Sequence, residues 1–219
     1  GAEVRADGLG TLPSVKDPRV QMKRCDGSPG FYPPQPILAE SRVRHVGEPV
    51  AMVVAETVDQ AQNAAERIVV DYAPLPVVTD TAQAARGEAV QLWPEAPGNV
   101  SFNWTAGDKA AVDLAFGAAE HVVEIELINN RVAAASIEAR GALGEYDAAS
   151  ERYTLHANCH NHFAVRDLSA ECLGIEPSAI RVIVRDLGGG FGMKYFVYHE
   201  HPLVLWAARR LGRPVKWMS

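Results

Sequence analysis

Hydrophobic positions along the chain change period several times, and each change marks a predicted element. Val50, Ala51, Met52, Val53, Val54 and Ala55 form a short apolar run rich in β-branched side chains, which predicts a buried strand. Thr57 follows as a helix cap, with Gln60 three residues on as in a capping box. Val58, Ala61, Ala64, Ala65 and Ile68 then share one helical face, while Gln60, Asn63 and Arg67 point outward. Residues 68–72 predict a second strand, stopped by Pro74 and Pro76. Strand, helix and strand make a compact α/β unit.

Flanking stretches lack this order. Residues 1–36 are rich in Gly, Pro and charge and close on Tyr32, Pro33, Pro34, Gln35 and Pro36, so an irregular arm is expected there. Periodicity lapses again from residue 79, around an isolated Leu92, Trp93 and Pro94. Residues 79–100 read as a linker between a domain at 1–78 and another at 101–219. The second domain opens with a predicted helix at 110–116. Across 121–129, Val, Ile and Leu alternate with Glu124 and Glu126, as in a half-buried strand. Residues 142–146 and 152–156 flank Asp147, Ala148, Ala149 and Ser150 as a β-hairpin. A helix at 163–173 ends at Gly174, a strand spans 180–184, and a helix at 201–211 ends at Gly212. Pro214 to Trp217 begins one more strand. The class is α+β, a mixed α/β chain, and the strand barely begun at its end predicts a section of something longer.

Composition narrows the function. The 219 residues are 47% apolar and 22% charged, the balance of a globular protein. Lys plus Arg number 21 against 27 Asp plus Glu, a net charge of −6 that argues against a nucleic-acid surface. No uninterrupted apolar window approaches the ~18 residues of a membrane span, and the first residues lack the basic-then-apolar order of a signal peptide. A cytoplasmic location is expected. Cys25, Cys159 and Cys172 are odd in number without a CxxC pair, so neither a disulfide framework nor a Cys-rich zinc site is indicated.

The best chemical signal is Gly188, Gly189, Gly190, Phe191 and Gly192 between a strand and a helix. Removing Cβ atoms lets the backbone take positive φ and approach a ligand, and the amides of such a turn suit an anionic or oxo group. The string matches neither GxGxxG nor the P-loop, because Lys194 lacks that motif's spacing and its following Ser or Thr. A tight turn packed on the core reads equally well. His156, His160 and His162 surround Cys159, and His199 and His201 follow; they read as metal ligands or, more simply, as solvated and capping histidines. Glu200 sits in a helix first turn, where the macrodipole favours a carboxylate. Glu138 and Arg140 read as a structural ion pair. No Ser-His-Asp order or GxSxG elbow occurs. No catalytic residue and no metal ligand is assigned within the chain.

Taken together, Arg181 to Leu187, then Gly188 to Lys194, then Glu200, then Leu211 to Trp217 form a far more specific string. It resembles the molybdenum-binding large subunit of the xanthine dehydrogenase/aldehyde oxidase family, the molybdenum hydroxylases. The nearest members are the bacterial carbon monoxide dehydrogenase large subunits and aldehyde oxidoreductases. Ile37, Leu38 and Ala39 with Val43 to Ala51 look like that family's α/β hammerhead domain. Asn130 and Arg131, Glu138 to Arg140, and Gly144 to Asp147 match in order and spacing. The resemblance runs from about residue 37 onward.

The resemblance implies that residues 1–78 are the C-terminal part of a hammerhead domain and 101–219 the first part of a molybdenum-cofactor-binding domain. It implies a molybdenum–molybdopterin cofactor in its cytosine dinucleotide form, with Gly189, Gly190, Phe191 and Gly192 lying against it. The family's glutamine that hydrogen-bonds an oxo ligand stands six residues before an arginine; counting back from Arg166 puts His160 there. A neutral imidazole keeps one donor for that role. The implied parent oxidises an aldehyde, an N-heterocycle or carbon monoxide with water-derived oxygen. Its implied partners are an iron–sulfur small subunit, an FAD-binding medium subunit and a small-molecule substrate, with a homodimer as a further expectation. The family's catalytic glutamate falls beyond residue 219, so the chain by itself is expected to hold no cofactor and to be inactive. The rival readings are a non-catalytic scaffold of the same fold and a His-rich metal-binding module.

Overall fold

The computed structural model describes residues 1–14 and 22–219; residues 15–21 of the expected arm lie outside the described residues. In chain order the elements are α1 (Ala2–Ala6), β1 (Thr11–Leu12), β2 (Gln35–Pro36), α2 (Val58–Ala65), α3 (Thr81–Ala84), α4 (Lys109–Ala118), β3 (Gly141–Asp147), β4 (Arg152–Ala157), α5 (His162–Leu173), β5 (Ile180–Ile183), α6 (Glu200–Leu211) and β6 (Val215–Met218). They divide between two compact units. One comprises Gly1–Ser14, Pro33–Val77 and Ala134–Ser219, the other Val15–Tyr32 and Val78–Ala133.

The first unit is built on a four-stranded sheet in the order β5, β4, β3, β6. Strands β3 and β4 form the predicted hairpin, with Ala142 opposite Ala157 and Asp147 opposite Arg152. Asp147 sets the turn: its carboxylate accepts from the Ala149 amide at 3.0 Å and the Ser150 hydroxyl at 2.6 Å, an Asx turn. Strand β5 runs parallel to β4, so the chain must cross over between them, and α5 is that crossover. Asn161 caps α5 by accepting from the Ala164 amide at 3.1 Å. Gly174 and Gly212, with φ of 65° and 64°, end α5 and α6 in the left-handed region as predicted.

Both helices pack on one face of the sheet. Ala142, Tyr153, Leu155, Ala157, Ile180 and Val215 alternate inward along the strands, and Val165, Ala170, Val204, Leu205 and Ala208 close over them. Leu155 and Leu205 are fully buried, each contributing ~2 kcal/mol by transfer from water. The N-terminal stretch expected to be irregular carries α1 and the β1–β2 pair. Its Val4 and Leu12 join Ile37, Leu38, Cys172 and Leu203 in a second apolar cluster. That burial anchors α1 and β1, and Pro36 is tolerated because it sits in a two-residue edge ladder opposite Thr11.

The predicted strands at 50–55 and 68–72 do not form. The capping box between them does: Thr57 and Gln60 exchange two hydrogen bonds of 3.2 Å, and α2 follows. The flanking apolar runs find no ladder partner among the described residues, and Val69 is 91% exposed. A strand needs a neighbour to take its amides and carbonyls, which a local apolar pattern cannot supply.

In the second unit, Asn99 organises the stretch expected to be a linker. Its side chain accepts from the Leu92 amide and donates to the Ala84 and Val90 carbonyls, at 2.8–2.9 Å. Asp108 caps α4 by accepting from the Ala111 amide at 3.0 Å, and this is the helix predicted at 110–116. Residues 121–129 are not the predicted half-buried strand; they are exposed throughout and have no ladder partner among the described residues. No helix among the described residues is long and apolar enough to cross a membrane.

Gly144 is the tightest point against backbone in the sheet. A Cβ there would stand 2.6 Å from the carbonyl carbon and oxygen of Val204. Gly144→Ala is therefore expected to push α6 off β3 and to cost about 2–3 kcal/mol, as overpacking does, read as a lower urea midpoint at unchanged slope. A midpoint within error of wild type would mean that α6 does not lie this close.

Candidate functional site

The connection from β5 to α6 carries the glycine turn. Gly189 and Gly192 have φ of 91° and 87°, and Phe191 takes 49°, a value uncommon for a side chain that large. Such strain costs roughly 1–3 kcal/mol and persists only where neighbours hold it. The Met193 amide closes the turn on the Gly190 carbonyl at 2.8 Å. Among the described residues, no acceptor meets the amides of Gly189, Gly190, Phe191 or Gly192. The turn thus presents a run of uncommitted donors on a nearly Cβ-free backbone, which fits an anionic or oxo ligand. Phe191 is 76% exposed beside them.

His160 meets this turn. A Cβ on Gly190 would stand 2.2 Å from His160 Cε1 and 2.4 Å from Nε2, so the imidazole occupies the space that any side chain at 190 would need. The His160 amide donates to the Lys194 carbonyl at 2.9 Å, tying the end of β4 to the turn. The five site residues singled out by sequence therefore lie together.

The other histidines disperse. His156 faces Glu145 on the sheet at 3.5 Å, and His162 packs on the Phe163 ring. Among the described residues, no three His, Cys, Asp or Glu side chains are grouped to hold a metal ion. Cys159, next to His160, is buried, and burial pushes its thiol up to about 11, which keeps it protonated and inert.

Glu138 and Arg140 do not pair with each other as expected. Glu138 Oε2 accepts from the Gly188 amide at 2.9 Å and from Lys194 Nζ at 2.7 Å. The Lys194 hydrogen bond first, and the Gly188 amide second, hold this carboxyl below its usual range. Arg140 stacks 3.7 Å over the Tyr198 ring, with Nε 3.2 Å from Glu200 Oε1. That is ion-pair range without hydrogen-bond alignment, and both atoms are buried without a hydrogen bond. Residues 138 and 140 precede β3 in irregular backbone, so no ladder aligns their side chains, and each meets a different neighbour. Lys194 is 1% exposed, and sequence reasoning assigned it nothing. Its only local signal is a lone cation among Gly, Phe and Met; its partner stands 56 positions away.

Glu200 and His201 open α6 inside the protein. Burial raises Glu200 above the carboxylate range, opposed by its own backbone amide and by Arg140. His201 Nδ1 accepts from the Tyr198 amide at 3.2 Å.

The family model for the molybdopterin cofactor-binding domain matches residues 92–219, and that for the aldehyde oxidase and xanthine dehydrogenase a/b hammerhead domain matches residues 15–76. The chain is 39% identical over 186 residues to the nicotine 6-hydroxylase large subunit of Paenarthrobacter nicotinovorans, covering 84% of this chain and 22% of that one. It is 32% identical over 195 residues to the carbon monoxide dehydrogenase large chain of Hydrogenophaga pseudoflava, covering 84% and 24%. The crystal structure of quinoline 2-oxidoreductase from Pseudomonas putida 86 matches with a TM-score of 0.81 and 30% identity, over 100% of this chain and 26% of that one. The chain spans about a quarter of the length of the relatives it matches.

Burial, and secondarily the charge of Arg140, lowers His201 from 6.5 to about 4. Between these values the unfolded chain binds a proton that the folded chain refuses, so stability falls as pH drops from 6.5 toward 4. The expected loss from this group is about 3 kcal/mol. His201→Gln keeps an acceptor for Tyr198 and does not titrate, so it should flatten urea midpoints across that window. An unchanged slope would place the titration on another group.

Proposed function

Because the chain belongs to the xanthine dehydrogenase/aldehyde oxidase family of molybdenum hydroxylases, we propose that it forms part of a large subunit in which the glycine turn and His160 lie against a molybdenum–molybdopterin cofactor. The observation that carries this reading is the run of four uncommitted amides at Gly189, Gly190, Phe191 and Gly192, with the His160 ring packed on Gly190. Residues 1–78 are read as hammerhead, 79–100 as linker and 101–219 as cofactor domain, in keeping with family matches at 15–76 and 92–219.

When bound, the cofactor supplies two-electron oxidation of a carbon centre with oxygen drawn from water. This chain's residues position it. The turn amides would offer donors to its oxygen atoms, and glycine at 190 leaves room for the imidazole. His160 adds one N–H donor where the family carries a glutamine amide. Phe191 offers an apolar ring beside the donors. The substrate class is an aldehyde, an N-heterocycle or carbon monoxide, the kinds of compound for which matched proteins are named. Iron–sulfur and FAD-binding subunits complete a cytoplasmic complex, and the cofactor is the cytosine dinucleotide form.

His160 tests the reading in the large subunit that contains this chain. His160→Ala should lower turnover roughly 10²-fold through loss of a preorganised donor, while His160→Gln retains most of it. Gly190→Val, which collides with His160, should lower molybdenum content by elemental analysis while the sheet stays folded. Wild-type molybdenum and turnover in both His160→Ala and Gly190→Val would remove the turn from the cofactor site.

A further inference from the structure

We propose that Lys194 and Glu138 are positioning residues, a clamp of a buried ammonium on a part-exposed carboxylate that holds the glycine turn open for its ligand; this rests on the cofactor reading above. The turn has every reason to relax. Phe191 sits at a φ of 49°, and four successive amides lack acceptors among the described residues. A free loop in that state would rotate its peptides to satisfy its own donors. Something must hold both ends.

A single carboxylate oxygen does so. Glu138 Oε2 receives the Gly188 amide at the start of the turn and Lys194 Nζ at its end, at 2.9 and 2.7 Å. The Glu138 amide returns a bond of 3.3 Å to the Gly188 carbonyl, and the Lys194 carbonyl takes the His160 amide. Lys194 has no exposed side-chain surface, so its ammonium is held in place by the need for a counter-charge, and Glu138 is the carboxylate that meets it. Buried this way, Lys194 cannot touch a ligand; it acts through the turn.

Hydrogen exchange of the 219-residue chain tests the clamp at the Gly188 and His160 amides. Lys194→Met keeps the apolar stem and removes the charge; exchange at both amides should quicken about 10-fold, with β3 and β4 amides unchanged. Glu138→Gln keeps an acceptor and should give a smaller rise at the same two amides, and it carries the test if Lys194→Met does not fold. Unchanged exchange there, or equal acceleration across β3 and β4, overturns the clamp, the latter because it marks a purely structural role. In the large subunit, Glu138→Gln should also lower molybdenum content; full occupancy would overturn the link from clamp to ligand. A wild-type subunit without molybdenum would instead overturn the cofactor reading, with exchange still deciding the clamp.

Discussion

The backbone of Val204 stands where a side chain at position 144 would begin, and this contact sets the distance between α6 and β3. With the helix that close, Val204, Leu205 and Ala208 reach the sheet and lose all contact with water. The first turn of α6 is carried inward with them, which is why Glu200 and His201 are buried although their sequence position suggests a solvated helix start. The connection from β5 must then pass the end of β4, where Lys194 meets His160.

Buried polar groups concentrate along that connection. Lys194, Glu200 and His201 are three of the four buried polar or charged residues among those described. They are satisfied unequally: Lys194 by Glu138, His201 by the Tyr198 amide, and Glu200 by a misaligned Arg140. Removing charge from water is costly, and a chain seeking stability alone gains more from apolar residues at such positions. Lys194 lies at the end of the glycine turn, whereas Glu200 and His201 meet Arg140 and Tyr198.

The turn itself shows what the scaffold accomplishes. Positive φ at Gly189, Phe191 and Gly192 leaves amides unmatched, a local cost that the surrounding hydrogen bonds sustain. In the proposed site, donors held this way would meet a ligand with developing negative charge without rearrangement, the kind of preorganisation by which protein electrostatics contributes most to chemistry.

Local signals were legible in the residues alone because they encode backbone angles directly. Thr57 with Gln60, Asp147 with Ser150, and Gly174 and Gly212 each specify a cap or turn within a few positions, and each took the predicted form. The glycine string and its flanks likewise marked both the family and the turn. The structure decided everything that depends on a distant partner. The runs at 50–55, 68–72 and 121–129 carry strand patterns, yet a ladder needs a second strand, and none among the described residues pairs with them. Glu138 looked like the partner of Arg140, two residues away, but found Lys194 across 56 positions. His160 acquired its place against Gly190 in the same way. Spacing along a chain sets caps, turns and faces; which charge neutralises which, and what ring fills the space beside a glycine, is settled only when packing brings remote segments within a few ångströms.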